Sequence, residues 1–295
     1  MTMRIRGLDF TSSSSSASKA NHLVEGTLNG HVLDLRTMRR LTSRSSLGEL
    51  LSESGPWMLG LDFPFGLPEE FIVAQGWSGV WASYAAQATS LRFDAFRTRI
   101  EEFRASREEG RKQPKRRVDK LANSQSPLTT VRTPVANMFH AGVPGLLAAS
   151  CDVLPFRSTA KTAVVVEAYP AIVARRLVGG NRYKDGDDAS TREVRDALLR
   201  RIKRGDLKMA YGLDVHVSPA LEQHCLEDKH GDVLDSVLCA IQAAWAYTER
   251  TRGWGIPAGF ESEGWITDPS LVRRTSRDGS SWEPVLESEP GYLPC

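Results

Sequence analysis

The sequence predicts an α/β protein in which helices flank a mixed five-stranded sheet and a helical insertion separates strands four and five. Three observations predict this fold class. Three short β-like segments open the chain, two unbroken apolar runs follow at 57–61 and 163–166, and about a hundred mostly helical residues lie between those runs. With 295 residues, 41% of them hydrophobic, the chain is long enough to bury a substantial core.

The first segment, "MRIRGLDF", ends at Asp9 and is followed by a Ser-rich turn at 11–18. "NHLVEGTL" and "HVLDLRTM" come next and are joined by Asn29 and Gly30. Asn-Gly between two β-like runs is a strong hairpin signal, because both turn positions need positive φ. Three antiparallel strands are therefore predicted.

The fourth and fifth strands are the two apolar runs. A helix with a Ser46/Glu49 capping box precedes "WMLGLD", which ends at Asp62, and the second run, in "TAVVVEAYP", ends at Glu167. Unbroken apolar runs are typical of strands that are covered on both faces. The predicted domains are 1–67 with 159–295, and an inserted, partly basic helical subdomain at 68–158. A helix with a Ser190/Glu193 capping box follows the fifth strand.

The segment "KHGDVLDSVLCAIQAAW" predicts an apolar helix that begins with two acids on one face. Asp232 and Asp235 are three residues apart, so their side chains point the same way. If strand four lies parallel to strand one, Asp9 and Asp62 meet at the same edge of the sheet. Clustered carboxylates repel unless a cation offsets them, and Mg²⁺ or Mn²⁺ is the usual partner. Asp9, Asp62, Asp232 and Asp235 are therefore the predicted catalytic and metal-binding residues.

Each acid also has a simpler interpretation. Acids in a first helical turn are favoured by the helix dipole, which would account for Asp232 and Asp235. Asp9 and Asp62 could accept hydrogen bonds from turn amides, and Glu167 could pair with an arginine. Glu167 and His230 are further candidates for a catalytic or substrate-contacting role, although His230 also suits an ordinary helix start.

Composition and sequence patterns indicate in which compartment the protein works and which partners it could bind. The net charge of +2 selects no partner, the four cysteines form no metal or redox spacing, and no long apolar run or leader pattern occurs. We therefore expect a soluble, cytoplasmic protein without a membrane partner.

Charge is concentrated in one segment. Residues 90–120 carry eleven Lys/Arg and six Asp/Glu, a net of +5. The densest part predicts a nucleic-acid-binding arm of Arg111, Lys112, Lys115, Arg116 and Arg117 that grips phosphates. A solvated helix end is the alternative for this segment.

The strand order and the acids at Asp9, Asp62, Asp232 and Asp235 resemble the ribonuclease H-like superfamily and its Holliday-junction-resolvase branch. "GLDFPFGLP", "VEAYPA", "DVLDSVLCAIQAAWAY" and "ESEGWI" look more specifically like the domain-of-unknown-function family 429, described as predicted nucleases. The resemblance implies a ribonuclease H-like sheet and a metal-dependent nuclease that cleaves DNA or RNA, with Asp9 as bridging ligand. Resolvase-like enzymes are often homodimers. They usually have glutamate on the fourth strand, where this chain has the shorter Asp62, so one of two metal positions could be lost.

Two other functions compete with the nuclease. "LDFTSSSSSASK" looks like the first phosphate loop of an actin-like or sugar-kinase-like ATP-binding phosphotransferase, with Lys19 in it, but the matching strand before Glu167 lacks a Gly-rich loop. A non-catalytic nucleic-acid-binding module with structural acids is the other alternative.

Overall fold

A mixed sheet with helices on both faces forms the centre of the protein. The structure is a computed structural model that describes residues 2–12, 20–41, 45–131, 134–186, 188–275 and 281–285, with the backbone alone at 45 and 46. The strands in these ranges are β1 (Thr2–Asp9), β2 (Asn21–Asn29), β3 (Val32–Leu41), β4 (Trp57–Asp62), β5 (Asp152–Val153), β6 (Ala163–Glu167), β7 (Asp214–Val217), β8 (Val272–Arg274) and β9 (Trp282–Pro284).

The described helices cover both faces of the sheet. They are α1 (Ser45–Ser52), α2 (Glu69–Ala74), α3 (Trp81–Ser90), α4 (Phe93–Ala105), α5 (Arg117–Leu121), α6 (Val135–Ala148), α7 (Pro170–Val178), α8 (Ala189–Lys203), α9 (Lys208–Tyr211), α10 (Pro219–Glu227) and α11 (Asp232–Thr248), with 3₁₀ turns at Arg250–Gly255 and Pro269–Leu271. None of them is both long and apolar enough to cross a membrane.

In the described part of the chain, the central sheet has seven strands in the order β5-β6-β4-β1-β2-β3-β7, rather than the predicted five. The five predicted strands are the inner ones, and the predicted parallel pairing of β1 with β4 is confirmed. β5 and β7 extend the sheet at its two edges. These strands have two and four residues, which is too short for a periodic sequence signal.

The predicted hairpin between β2 and β3 is confirmed, with a shift of one residue. Asn29 pairs with Val32, so the loop is Gly30-His31 and Asn29 belongs to the strand. Gly30 has a φ of 61°, which glycine adopts without steric cost.

Of the two predicted capping boxes, the one at Ser190 is not formed, and the one at Ser46 cannot be compared with the structure. α8 begins at Ala189 with Asp188 as its N-cap, whose side chain accepts a hydrogen bond from the amide of Thr191, so Ser190 is not the cap. The side chain of Ser46 lies outside the described residues, as does the stretch 13–19 with most of the Ser-rich turn and Lys19.

The alternation of the strands divides the core into two layers. Met58 of β4 packs with α7, α8 and α11 on one face, while Leu59 and Leu61 pack with α1 to α4 and α6 on the other. The helices between β4 and β6 therefore share a hydrophobic cluster with the sheet. Both faces of β4 are covered, which explains its unbroken apolar run.

Two adjacent glycines bring α11 close to the sheet. Gly7 and Gly60 are direct partners in the β1–β4 pair. A methyl group at Gly7 would overlap the backbone of Ser236 and Ala240, and one at Gly60 would overlap the carbonyl of Cys239. The start of α11 consequently lies against the ends of β1 and β4.

Candidate functional site

The last residue pair of the β1–β4 ladder consists of two aspartates. Asp9 and Asp62 are register partners, and both strands end in the tripeptide Gly-Leu-Asp. Parallel strands bring their carboxyl ends to one edge, which is where open α/β sheets commonly bind ligands. The predicted proximity of Asp9 and Asp62 is confirmed.

A third carboxylate comes from the first turn of α11. Asp235 is fully buried, and one carboxylate oxygen each from Asp9, Asp62 and Asp235 lie within 4.8 Å of one another. Three hard oxygen donors at this spacing form a donor set that suits Mg²⁺ or Mn²⁺. We call Asp9, Asp62 and Asp235 the acidic cluster.

Asp232, the first residue of α11, lies beside this cluster. It is outside the group of three close oxygens, yet its charge and a side-chain hydrogen bond both act on Asp9. Its Oδ2 is 3.9 Å from Nδ1 of His22, the residue that pairs with Asp9 on β2. Burial lowers the pKa of His22, with Asp228 and Asp232 opposing the shift. The structure therefore places Asp232 at the edge of the site.

Two residues of the α7–α8 connection complete the surroundings of Asp235. The Tyr183 hydroxyl donates a hydrogen bond of 2.6 Å to Oδ1. Oδ2 is in ionic contact with Nζ of Lys184. Sequence reasoning missed both residues, because "NRYKDGDD" has neither a periodic pattern nor a motif that distinguishes it from a surface loop.

Burial is the main influence on the charges of Asp9 and Asp62. Burial raises the pKa of Asp9 well above its usual range and that of Asp62 to about 6, while Lys184 opposes both shifts. The charge of Asp232 reinforces both shifts, and a hydrogen bond with Asp9 partly offsets that of Asp62. Burial lowers the pKa of Lys184, but the charges of Asp9, Asp62 and Asp232 outweigh it, so the pKa is raised overall. The site thus strongly attracts positive charge.

Glu167 points into a different network. It pairs with Leu61 on β4, one residue before Asp62, and its carboxylate is held by the guanidinium of Arg116 at 2.5 and 2.8 Å. The amide of Phe65 donates a further hydrogen bond of 2.9 Å. Burial raises the pKa of Glu167, against the lowering effect of Arg116. Glu167 thus pairs with an arginine, as the simpler interpretation stated, but it is buried, and its catalytic or substrate-contacting role stays a prediction.

His230 is also separate from the acidic cluster. It lies on the turn before α11, its side chain is exposed, and Nδ1 is 3.2 Å from Oδ1 of Asp185. The structure does not bring it to the three acids.

The five predicted phosphate-gripping residues do not form one exposed surface. Arg116 is 1% exposed, with its guanidinium committed to Asp119 and Glu167, so its assignment to a solvent-facing arm is wrong. The local sequence could not indicate that Arg116 is buried, because its partner Glu167 is 51 residues away.

The other four members differ in exposure. Arg111 and Lys112 are exposed and pair with Glu108 and Glu109 of the same segment. Lys115 is half-buried. Arg117 is exposed, with its guanidinium 4.1 Å from the ring centroid of Phe260.

One comparison with known proteins is informative. A family model described as "Protein of unknown function (DUF429)" matches residues 29–258, which is more than half of the chain. Asp62, Glu167, Asp232 and Asp235 lie inside the matched range, and Asp9 precedes it. Comparisons with curated proteins and with solved structures gave no significant match. The chain belongs to the DUF429 family.

Proposed function

We propose that the protein is a divalent-metal-dependent nuclease that hydrolyses phosphodiester bonds of DNA or RNA. The observation that carries this proposal is the convergence of Asp9, Asp62 and Asp235 from three separate elements, with their oxygens within 4.8 Å. If the three aspartates served only as separate turn or helix caps, their side chains would not need to converge at one place. A bound Mg²⁺ or Mn²⁺ would activate water and stabilise charge on the reacting phosphate.

The arrangement of the sheet supports the same proposal. The inner strands run β6-β4-β1-β2-β3, with β2 antiparallel to its neighbours and the acids at the ends of β1 and β4. This order is similar to that of the ribonuclease H-like superfamily, to which we assign the central five strands. β5 and β7 are then additions at the edges.

Each residue of the site has a distinct part in this proposal. Asp9, Asp62 and Asp235 would hold the metal. Asp232, at the edge of the site, would influence the protonation of Asp9 through its charge and its hydrogen bond. Carboxylates must lose their protons to bind a cation, so metal affinity rises with pH through the raised pKa values of Asp9 and Asp62. Tyr183 fixes the orientation of Asp235 through its hydrogen bond.

Lys184 supports a second candidate, a non-catalytic module in which the acids are structural. Its ammonium is already in ionic contact with Asp235 and is attracted by Asp9 and Asp62. A lysine in that position can offset the carboxylates without a metal. The two candidates differ in whether divalent ions bind and whether any phosphodiester is cleaved.

A cleavage assay with matched variants separates the candidates. Labelled single-stranded DNA, duplex, four-way junction and RNA are incubated in Mg²⁺, Mn²⁺ or chelator with the wild type, Asp9→Asn, Asp235→Asn and Asp268→Asn. Asp268 is the control because it is also fully buried and accepts a tyrosine hydroxyl, that of Tyr211 at 2.5 Å. Metal-dependent cleavage should be lost in Asp9→Asn and Asp235→Asn and retained in Asp268→Asn. Cleavage by none of the proteins would favour the non-catalytic module.

A further inference from the structure

A cavity of about 360 Å³ opens directly beside the acidic cluster. Asp62, Asp235 and Lys184 line it, together with the buried pair of Arg116 and Glu167. Small-molecule sites in proteins have volumes of about 300 to 1,000 Å³. A single small group fits here, whereas a nucleic-acid duplex does not.

The cavity is otherwise lined mainly by apolar and aromatic residues. Phe63, Met138 and Tyr169 line it, and Phe63 follows the cluster residue Asp62 directly in the chain. Phe63 is held by tilted ring contacts with Phe10 and Phe65, at centroid distances of 4.7 and 5.1 Å. Tyr169 is half-buried and lies at the start of α7. Aromatic walls of this kind bind flat, unsaturated rings by stacking.

Charge decides which part of a nucleotide suits the interior. Arg116 is neutralised by Asp119 and Glu167, and Lys184 is in ionic contact with Asp235. The lining therefore offers a phosphate group no uncommitted cation among the described residues. A phosphate is better placed at the acidic cluster with its metal, and a neutral ring is better placed in the cavity.

We infer that this cavity holds the base of the nucleotide whose phosphate lies at Asp9, Asp62 and Asp235. The substrate is then a single strand, a strand end or a nucleotide turned out of a duplex, because a base that is paired within a duplex cannot enter a cavity that holds a single small group. The link between the base and a cleaved phosphate rests on the proposed nuclease function. Binding of the base can be measured without it.

The binding test uses isothermal titration in Mg²⁺ with adenosine 5′-monophosphate and with ribose 5-phosphate, which lacks the base. The proteins are the wild type, Tyr169→Ala, Tyr169→Phe and Tyr247→Ala. Tyr247 is a matched control, since it is also half-buried, packs on the same core cluster and has an arginine near its ring. The arginine near the ring of Tyr247 is Arg250, and the one near the ring of Tyr169 is Arg175.

Stacking on one aromatic ring is expected to make the nucleotide bind about ten-fold more tightly than the sugar phosphate. This preference should disappear in Tyr169→Ala and persist in Tyr169→Phe and Tyr247→Ala. Equal affinity for the two compounds, binding of neither at millimolar concentration, or a preference unchanged in Tyr169→Ala would overturn the inference.

A cleavage test distinguishes failure of the pocket from failure of the nuclease. It uses a labelled single strand with one abasic position, together with the same sequence as a duplex. The inference predicts a gap in the cleavage pattern at the abasic position and slow cleavage of the duplex. Equal cleavage at every position and in both forms would refute the pocket alone. Base-dependent binding without any cleavage would refute the nuclease and leave the base site standing.

Discussion

Asp9 and Asp62 face each other as the last residue pair of the parallel strands β1 and β4. Two residues earlier the partners are Gly7 and Gly60, against which α11 packs. The same tripeptide, Gly-Leu-Asp, thus provides in each strand a close approach for the helix and a carboxylate at the sheet edge. The acidic cluster depends on this packing as much as on the acids.

The glycines give a stability prediction. Gly60→Ala should lower the free energy of unfolding by about 1–3 kcal/mol, because the new methyl group meets the Cys239 carbonyl. Gly48→Ala in α1 is the control, since nothing lies within 4 Å of its added methyl group. Helix propensity should make that variant about 0.5–1 kcal/mol more stable. Urea denaturation of both variants measures the difference, and equal stability would mean that α11 does not lie as close to β4 as described.

Replacement of Lys184 separates a competing cation from a structural one. Lys184→Met should lower metal-free stability by about 1–3 kcal/mol, less than for a fully buried pair, because 37% of the lysine side chain is exposed. Under the proposed function it should also bind Mn²⁺ more tightly, since a positive charge leaves the site. The control is Lys208→Met, which removes an exposed pair with Asp214. A loss of stability with no measurable Mn²⁺ binding would favour the structural role.

The raised pKa of Asp62 predicts a pH dependence. Its value is about 6, against 3.8 ordinarily, with burial as the main cause. Asp62 therefore contributes stability below about pH 4 that is lost as the pH rises through 6, up to about 3 kcal/mol in total. Asp62→Asn in chelator should show a smaller loss of stability across this window than the wild type. Parallel pH profiles in chemical denaturation would contradict the prediction.

The buried pair of Arg116 and Glu167 should be essential for folding stability. Arg116→Met leaves Asp119 and Glu167 buried without their cation, at a cost of about 3–5 kcal/mol. Arg111→Met removes a guanidinium from the same basic segment, but one that is 76% exposed, and should change stability by less than about 0.5 kcal/mol. If thermal denaturation showed similar effects for both variants, the assignment of Arg116 to the core would be wrong.

The parts of the fold that could be predicted from the sequence are those with strong local patterns. The unbroken apolar run of β4 and its crossover from β3 predicted the neighbour of β1, and with it the proximity of Asp9 and Asp62. The three-residue spacing of Asp232 and Asp235 predicted that their side chains point in the same direction. It could not show that Asp235 enters the three-oxygen group while Asp232 stays at its edge, because that depends on where the helix begins.

The parts that escaped prediction depend on contacts between distant residues. Tyr183 reaches Asp235 across 52 positions, and Arg116 reaches Glu167 across 51. Neither local charge nor periodicity reports such a partner, so Arg116 was assigned to the surface and Lys184 was missed. Strands as short as β5 carry no pattern at all.

Direct titration of Mn²⁺, followed by the electron paramagnetic resonance signal of the free ion, tests the central claim most directly. The wild type and Asp268→Asn should take up Mn²⁺ saturably, whereas Asp9→Asn and Asp235→Asn should leave the ion free at the same concentrations. Absence of saturable uptake by the wild type, or equal uptake by Asp235→Asn, would show that Asp9, Asp62 and Asp235 do not form a divalent-metal site.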